Sequence, residues 1–281
     1  MSSNENRIKN KFGIMQGRLL PKYQNRYQAH PLGYWKDEFS IASQLGLDSI
    51  EFILDYNDSE KNPLLAIDGP EEILNTEKLS GVKVRSICAD YFMEAPIHSE
   101  DTSIVEKSLK TLEQLIINAS MMNVKDVVIP CVDQSSLKSK QDINRFVQNI
   151  KIVSSTAEKK NINISLETDL EPVSFTKLID SIGSENIKVN YDTGNSAALG
   201  YDPVEEFKCY GTKITDLHIK DRLLGGGSVL LGTGDTNFKK VIDLLIKYDY
   251  QGLIIFQAFR DDDGLKIFKS QLSWFIKNFV K

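Results

Sequence analysis

Hydrophobic and polar positions along the chain follow two periodicities in turn. Short apolar runs rich in β-branched residues are each followed by a longer stretch in which apolar residues recur every three or four positions. The short runs predict strands at 12–19, 47–54, 82–92, 124–132, 162–170, 187–195, 214–222 and 252–259. The longer spacing is that of amphipathic helices, and it is clearest over 107–123, 144–161 and 238–250.

Strands that alternate with helices predict right-handed β–α–β units and a parallel sheet. Eight such units in a chain of 281 residues indicate an α/β protein with a single (β/α)8 TIM barrel. A doubly wound open sheet is the alternative, but its first strand is usually followed by a glycine-rich phosphate-binding turn, which FGIMQGRL (12–19) matches poorly. We find no linker or shift in composition. We therefore expect one barrel domain over 12–281, preceded by a flexible extension over 1–11.

Charge and cysteine content narrow the classes of protein that fit. The net charge of −5 and the pI near 5.4 argue against a nucleic-acid partner, which requires basic density to neutralise phosphates. The opening residues lack the apolar core of a signal peptide, and no apolar run approaches the ~18 residues of a spanning helix. Cys88, Cys131 and Cys209 form no CxxC pair. We expect a cytoplasmic protein without a membrane partner.

Polar residues recur at the predicted carboxyl ends of the last four strands. In a TIM barrel the catalytic groups lie at these ends, and alternate side chains of each strand face the interior. Alternation places Glu167, Asp192, His218 and Gln257 on the inward side of consecutive strands. Each of them alone has a structural explanation, such as a salt bridge or a hydrogen bond to the backbone. Their joint placement favours a site for one divalent cation, Mn²⁺, Mg²⁺, Co²⁺ or Zn²⁺, or for a polar substrate.

Other polar residues near strand ends suggest that the ligand is polyhydroxylated. Lys220, Arg222 and the glycines at 225–227 lie where such barrels often bind a phosphate group. Aromatic residues such as Trp35 either cover the apolar face of a sugar ring or pack in the core. The predicted substrate-binding residues are Gln16, Arg18, Glu51, Asp90, Asn195, Lys220 and Arg222.

Four motifs in order carry a resemblance to a known group of proteins. ETD (167–169), YDTGN (191–195), DLHIKD (216–221) and LGTGD (231–235) resemble the xylose-isomerase-like barrel superfamily, whose members include sugar and sugar-phosphate isomerases and epimerases. The resemblance spans nearly the whole chain. It implies that one divalent metal ion is held by Glu167, Asp192, His218 and Gln257. It also implies that Glu167 removes a proton next to a carbonyl group to give a metal-stabilised enediolate.

Two positions depart from the family pattern. Asn195 stands where the family often has histidine, and Gln257 stands where it has a second glutamate, the other catalytic position. An amide oxygen can bind a metal, but an amide does not titrate near neutral pH and cannot carry the second proton. A single-face isomerisation or syn dehydration would need only Glu167. A two-base epimerisation would need a further group, for which the candidates are Glu51, Asp90, Lys220 and Asp221.

The sequence therefore predicts a metal-dependent isomerase or epimerase of a small sugar or sugar phosphate, with a homo-oligomer as one possible assembly. One alternative is a dehydratase that acts on a polyol or keto acid with the same ligands. Another is a sugar-binding barrel whose catalysis is impaired by Gln257. A metal-dependent endonuclease of the same superfamily is disfavoured, because it would need several further histidines and a basic face, and the acidic chain has three histidines.

Overall fold

The computed structural model describes residues 8–262 and 264–280, and its parallel strands close into an eight-stranded barrel. Strand order around the barrel follows chain order, and the last strand pairs with the first. The barrel strands are β1 (Phe12–Met15), β2 (Ser49–Ile53), β3 (Lys83–Cys88), β4 (Asp126–Cys131), β5 (Asn163–Thr168), β6 (Ile187–Asp192), β7 (Ile214–Ile219) and β10 (Leu253–Phe256). Two short strands, β8 (Asp221–Arg222) and β9 (Ser228–Val229), form an antiparallel hairpin after β7. The predicted (β/α)8 fold is confirmed.

Helices between the strands form the outer layer. They are α1 (Asp37–Gln44), α2 (Gly69–Ser80), α3 (Tyr91–Glu94), α4 (Thr102–Met121), α5 (Lys140–Lys160), α6 (Pro172–Ile182), α7 (Thr193–Leu199), α8 (Pro203–Tyr210), α9 (Phe238–Lys247) and α10 (Gly264–Phe279). Local sequence sets their ends: Ser139 and Asp142 form a capping box before α5, and Asn161 ends it in the left-handed conformation. Within the described residues, no helix is long and apolar enough to cross a bilayer.

Alternation along the strands separates two layers of side chains, as predicted. Outward residues such as Ile164 and Leu166 belong to the large apolar core between the barrel and the helices. A small apolar cluster lies inside the barrel, formed by Met15, Ile53, Cys88, Val128 and Ile255. Bulky apolar residues usually fill a TIM barrel, but here this cluster shares the interior with buried charged side chains.

The predicted strands extend too far at their carboxyl ends. Tyr91 is not in the third strand but begins α3, and Arg222 belongs to the β8–β9 hairpin. Asn195 lies in the first turn of α7, because the Asp192 carboxylate accepts hydrogen bonds from the amides of Gly194 and Asn195, both at 2.8 Å, and so caps that helix. Side chains at these ends cannot be placed by strand alternation.

The predicted extension over 1–11 falls mostly outside the described residues. Its last part is bonded to the other end of the chain. The amide of Ile8 donates to the carbonyl of Phe279 at 3.0 Å, and Asn10 Nδ2 donates to the carbonyls of Tyr250 and Gly252 at 3.0 and 2.8 Å.

A buried glutamate in α1 holds the loop that follows β1. The Glu38 carboxylate is fully buried and accepts the amides of Gly17 at 2.7 Å and Leu19 at 2.9 Å. Burial raises the pKa of Glu38 to about 7, against the effect of these two bonds. The contact fixes where the loop carries Arg18.

Replacing Glu38 by alanine should lower the free energy of unfolding by about 2–4 kcal/mol, because two buried amides would lose their acceptors. Urea unfolding measures the change. Asp37→Ala is the matched control, since Asp37 lies exposed in the same helical turn and should change stability by less than about 0.5 kcal/mol. Equal losses in the two variants would show that Glu38 does not hold the loop.

Candidate active site

Strands β5, β6 and β7 bring three of the predicted residues to one point. Glu167, Asp192 and His218 each offer a ligand atom, and these atoms all lie within 4.8 Å of one another. All three side chains are buried. His218 Nδ1 is 3.6 Å from Glu167 Oε2. The carboxyl ends of adjacent parallel strands meet here, as strand alternation predicts.

Hydrogen bonds at both ring nitrogens orient the imidazole of His218. Asn190 Nδ2 lies 3.1 Å from Nδ1 and 2.8 Å from Glu167 Oε2, and an amide nitrogen can only donate. Nδ1 therefore accepts, and Nε2 carries the hydrogen that it donates to Glu51 Oε1 at 2.8 Å. Glu51 thus fixes the tautomer in which the lone pair of Nδ1 faces Glu167.

Two amides hold the carboxylate of Glu167. Asn190 donates to Oε2, and Asn195 Nδ2 donates to Oε1 at 2.6 Å. Asn195 in turn accepts Arg222 Nη1 at 2.8 Å through its own oxygen, which sets the direction of its amide. Burial and, next, the neighbouring Asp192 carboxylate raise the pKa of Glu167 to about 7. The carboxylate is buried and fixed in direction.

Gln257 lies at the same end of the barrel and forms hydrogen bonds through both the oxygen and the nitrogen of its amide. Its oxygen accepts Lys220 Nζ at 3.1 Å, and its nitrogen donates to Gln28 Oε1 at 2.8 Å. Lys220 Nζ also lies 3.5 Å from Asp192 Oδ2. The ammonium group therefore links the amide at 257 to the carboxylate cluster.

Glu51, which was expected among the substrate-binding residues, lies behind the cluster. It is fully buried in the barrel interior, between His218 and Ser86, whose hydroxyl donates to it at 2.5 Å. Burial raises the pKa of Glu51 to about 7. Burial and the charge of Glu51 also raise the pKa of Asp216, which forms a second set with Glu51 and His218 within 4.8 Å. These acids support the imidazole from the interior.

Gln16 also lies away from the cluster, because it follows the outward parity of Ile14. Its amide oxygen accepts the amide of Ile53 at 2.9 Å and lies 3.3 Å from His30 Nδ1. Trp35, for which two roles were open, packs in the core against Phe52. Neither side chain reaches the carboxylates.

Arg18 and Asp90 lie at the mouth of the barrel, joined through Gln28. Arg18 Nη2 donates to Gln28 Oε1 at 3.1 Å, and Gln28 Nε2 donates to Asp90 Oδ2 at 3.0 Å. Cys88 also donates to Asp90, at 3.2 Å. Gln28 thus connects both predicted residues to Gln257.

Two of the family motifs, DLHIKD and LGTGD, form one structural unit. The Asp221 carboxylate accepts the amides of Gly232, Gly234 and Thr236 at 2.8, 2.9 and 3.1 Å. A Cβ atom on Gly234 would lie 2.3 Å from Asp221 Oδ1, which explains the glycine at that position. Asp221 is therefore bound to the loop and does not face the carboxylate cluster.

Arg222 and the glycines at 225–227 do not form an open phosphate site. Arg222 Nε and Nη2 both donate to the carbonyl of Gly226, at 3.0 and 2.8 Å, and Nη1 donates to Asn195. All three nitrogens have acceptors within the chain. The arginine orients Asn195 instead.

The donor set fits a divalent cation. Glu167 and Asp192 offer carboxylate oxygens, His218 offers Nδ1, and Gln257 offers an amide oxygen at the same end of the barrel. The two buried carboxyl groups repel each other, and Lys220 supplies one positive charge beside them. A cation bound to Nδ1 would replace the hydrogen bond from Asn190.

Cavities open at both ends of the barrel. One of about 850 Å³ lies at the amino ends of the strands, where Ser49, Lys83 and Asp126 line it, and it includes none of the predicted site residues. One of about 490 Å³ lies at the carboxyl ends and is lined by Arg18 and Gln28, among others. Size alone would favour the first, but the carboxylate cluster lies at the second end.

Asn190 and Gln28 were not predicted as site residues. Asn190 could have been found, because it shares the inward parity of Asp192 on the same strand. Gln28 lies in the irregular loop between β1 and α1, where no periodicity indicates the direction of a side chain.

Comparison with known proteins identifies the family. The chain belongs to the family of xylose isomerase-like TIM barrels, whose model matches residues 39–278. It is similar to a 2-epi-5-epi-valiolone 7-phosphate 2-epimerase of Actinoplanes sp., at 22% identity over 83% of this chain and 86% of the relative. It is also similar to the L-ribulose-5-phosphate 3-epimerase UlaE of Escherichia coli, at 23% identity over 78% and 80%.

Solved structures share the fold. A D-allulose 3-epimerase from Methylomonas sp. in complex with D-allulose has a TM-score of 0.75 at 15% identity, over 98% of both chains. The IOLI protein with a bound zinc atom has a TM-score of 0.75 at 14% identity, over 96% of this chain and 99% of that chain. The relatives and structural neighbours named here thus include several sugar epimerases.

Asp221→Ala should increase hydrogen exchange at the amides of Gly232, Gly234 and Thr236 by about ten-fold or more, because each loses a charge-assisted hydrogen bond. Exchange followed by NMR measures the effect. Asp235→Ala is the control. Asp235 lies in the same loop, but its carboxylate accepts the amide of Leu224, which lies between β8 and β9. Unchanged exchange at the three amides would contradict the structural role of Asp221.

Proposed function

We propose that this protein is an epimerase of a small ketose or sugar phosphate, and that Glu167 is the base that removes the proton next to the carbonyl. The observation that carries the proposal is the buried Glu167 carboxylate, held by Asn190 and Asn195 beside Asp192 and His218. Relatives that are sugar-phosphate epimerases support the reaction class.

Glu167, Asp192, His218 Nδ1 and the oxygen of Gln257 would hold one divalent cation, Mn²⁺, Mg²⁺, Co²⁺ or Zn²⁺, which when bound stabilises negative charge on a substrate oxygen. The remaining work belongs to the chain. Asn190 and Asn195 aim the base, and burial of the cluster excludes water around it.

Lys220 is the best placed of the candidates for the second proton carrier. Glu51 lies behind His218, Asp221 is bound to the GTGD loop, and Asp90 is bonded by Gln28 and Cys88. Lys220 Nζ lies 3.1 Å from the oxygen of Gln257, the residue that stands in place of a second glutamate. We infer that Glu167 removes the substrate proton on one face and that Lys220 donates a different proton, its own, to the opposite face.

Two further expectations follow the proposal. We expect the protein to act in the cytoplasm, because Cys88, Cys131 and Cys209 are all free thiols. A homo-oligomer stays a prediction. The dehydratase and the sugar-binding barrel are the competing functions, and each gives a different outcome in the experiments below.

Purified protein should contain about one divalent ion per chain after mild dialysis, measured by elemental analysis. His218→Ala should lose the ion, because it removes the nitrogen ligand, and Gln257→Glu should retain it more tightly, because it adds a carboxylate. His98→Ala is the matched control, since His98 lies outside the cluster, and it should keep the ion. Absence of bound metal after reloading with Mn²⁺ or Zn²⁺ would remove the cation from the proposal.

Wild-type protein should exchange a carbon-bound hydrogen of its substrate with solvent deuterium, followed by NMR over a panel of ketoses and ketose phosphates. Glu167→Gln should slow exchange by about 10²–10⁴-fold, as for loss of a general base. Glu171→Gln is the control, since Glu171 lies exposed in the loop that follows β5.

Lys220→Met should retain exchange on one face while it loses inversion, because Glu167 remains. Full exchange in Glu167→Gln would exclude Glu167 as the base. Tight sugar binding by the wild type without exchange would support the sugar-binding barrel, and loss of water from the substrate would support the dehydratase.

A further inference from the structure

Three arginines from two loops line the cavity at the mouth of the barrel. Arg18 and Arg26 lie in the loop after β1, and Arg260 lies in the loop after β10. The cavity has a volume of about 490 Å³, and Tyr27, Gln28 and Ser228 also line it. Arg18 was among the predicted substrate-binding residues, whereas Arg26 and Arg260 were not.

The guanidinium groups carry more hydrogen-bond donors than the chain satisfies. Within the described residues, Arg18 Nε, Arg26 Nη2 and Arg260 Nε are buried and have no acceptor. Buried N–H groups without partners are costly, and one such group on each of three neighbouring side chains is uncommon. Each guanidinium group therefore keeps one nitrogen that no acceptor in the described chain satisfies, while the side chain itself lines the cavity.

Other atoms of the same arginines fix the side chains in place. Arg260 donates to the carbonyl oxygens of Gly17, at 2.6 Å, and Leu20, and its guanidinium lies 4.8 Å from the centre of the Tyr27 ring. Arg18 Nη1 donates to the carbonyl of Ala258 at 2.6 Å. These bonds join the two loops, so the guanidinium groups are positioned before any ligand arrives.

The arginines differ in how their charge is compensated. Arg26 Nη1 pairs directly with Asp55 at 2.6 Å, whereas the hydrogen bonds of Arg18 and Arg260 given above go to uncharged oxygens, and carboxylates such as Glu38 act on them without a direct bond. Burial lowers the pKa of Arg18 to about 10, and the charge of Arg260 is the next cause, while Asp192, Asp90 and Glu38 act in the opposite direction. A bound anion would favour the charged form of the guanidinium group.

One residue separates the arginines from the candidate active site. Gln28 Oε1 accepts Arg18 Nη2 at 3.1 Å and Gln257 Nε2 at 2.8 Å, and the oxygen of Gln257 contacts Lys220. A ligand that places a charged group among the arginines would therefore lie next to Gln28, which is hydrogen-bonded to Gln257. We expect the rest of a short chain of hydroxylated carbons to lie on the Gln257 side.

We propose that Arg18, Arg26 and Arg260 bind the phosphate group of the substrate, so that the substrate is a phosphorylated sugar. The inference rests on the proposed function and names the substrate class of that site. A phosphate group presents three terminal oxygens in different directions, which suits donors that converge from two loops, whereas a carboxylate suits a single guanidinium fork. The phosphate lies here and not at Arg222, whose donors are occupied.

Titration with inorganic phosphate tests the arginines independently of turnover. Isothermal titration calorimetry on metal-free Glu167→Gln protein should show one phosphate per chain. Arg26→Gln and Arg18→Gln should each weaken the dissociation constant by about ten-fold or more, the loss expected for a charge-assisted hydrogen bond. Arg85→Gln, at the opposite end of the barrel, is the matched control and should leave it unchanged.

Arg26 is the safer substitution, since its side chain is 39% exposed and pairs only with Asp55 among the bonds described. Circular dichroism checks that each variant is folded. Absence of phosphate binding to the wild-type arginines, or equal weakening in Arg85→Gln, would overturn the inference.

Solvent exchange with matched sugars separates this inference from the proposed function. The metal-loaded wild type should exchange a ketose phosphate at least ten-fold faster than the same free ketose, and Arg26→Gln should reduce that preference. Exchange of free ketoses without any preference would overturn the phosphate site and leave the proposed reaction in place. Phosphate binding that depends on the arginines, without exchange of any sugar, would uphold the anion site while the epimerase proposal fails.

Discussion

The polar half of the barrel depends on how the imidazole of His218 is held. Its Nε2 donates to Glu51, which lies in the interior, and its Nδ1 accepts from Asn190, which also bonds Glu167. With Ser86 included, five strands contribute to this network: β2, β3, β5, β6 and β7. Buried polar networks are stabilising only when their members are satisfied, so each side chain limits the direction of the next. The direction of the Glu167 carboxylate and that of the imidazole lone pair both follow from these hydrogen bonds.

The amide at position 257 is matched to its neighbours. It accepts from Lys220 and donates to Gln28, and a glutamate there could do only the first. The departure from the family pattern is thus accompanied by a lysine and a second glutamine in contact with it. Gln28 also contacts Arg18, and this contact connects the proposed proton carriers to the proposed phosphate site. The proposed phosphate site and the proposed proton carriers are therefore linked through the hydrogen bonds of Gln28.

The sequence predicted the side-chain positions that follow from strand periodicity. Alternation along the strands placed Glu167, Asp192 and His218 correctly, because their carboxyl ends lie at one edge of a closed parallel sheet. It failed once the chain left the strand. Arg222 follows a hairpin, and the chain folds its guanidinium back onto Gly226. Strand alternation also does not indicate how deep in the barrel a side chain lies. Glu51 was therefore expected near the substrate, and it lies behind His218.

The hydrogen bonds of His218 to Glu51 and Asn190 require one tautomer of its ring, and nitrogen NMR can observe that tautomer directly. The chain has three histidines, so long-range proton–nitrogen spectra of a ¹⁵N-labelled sample resolve each ring, with His30 and His98 as internal references. The metal-free protein should show the hydrogen of His218 on Nε2. Addition of Zn²⁺ should then move the signal of Nδ1 in His218 alone. A hydrogen on Nδ1, or an Nδ1 signal that does not respond to Zn²⁺, would contradict the assignment of His218 as a ligand oriented by Glu51.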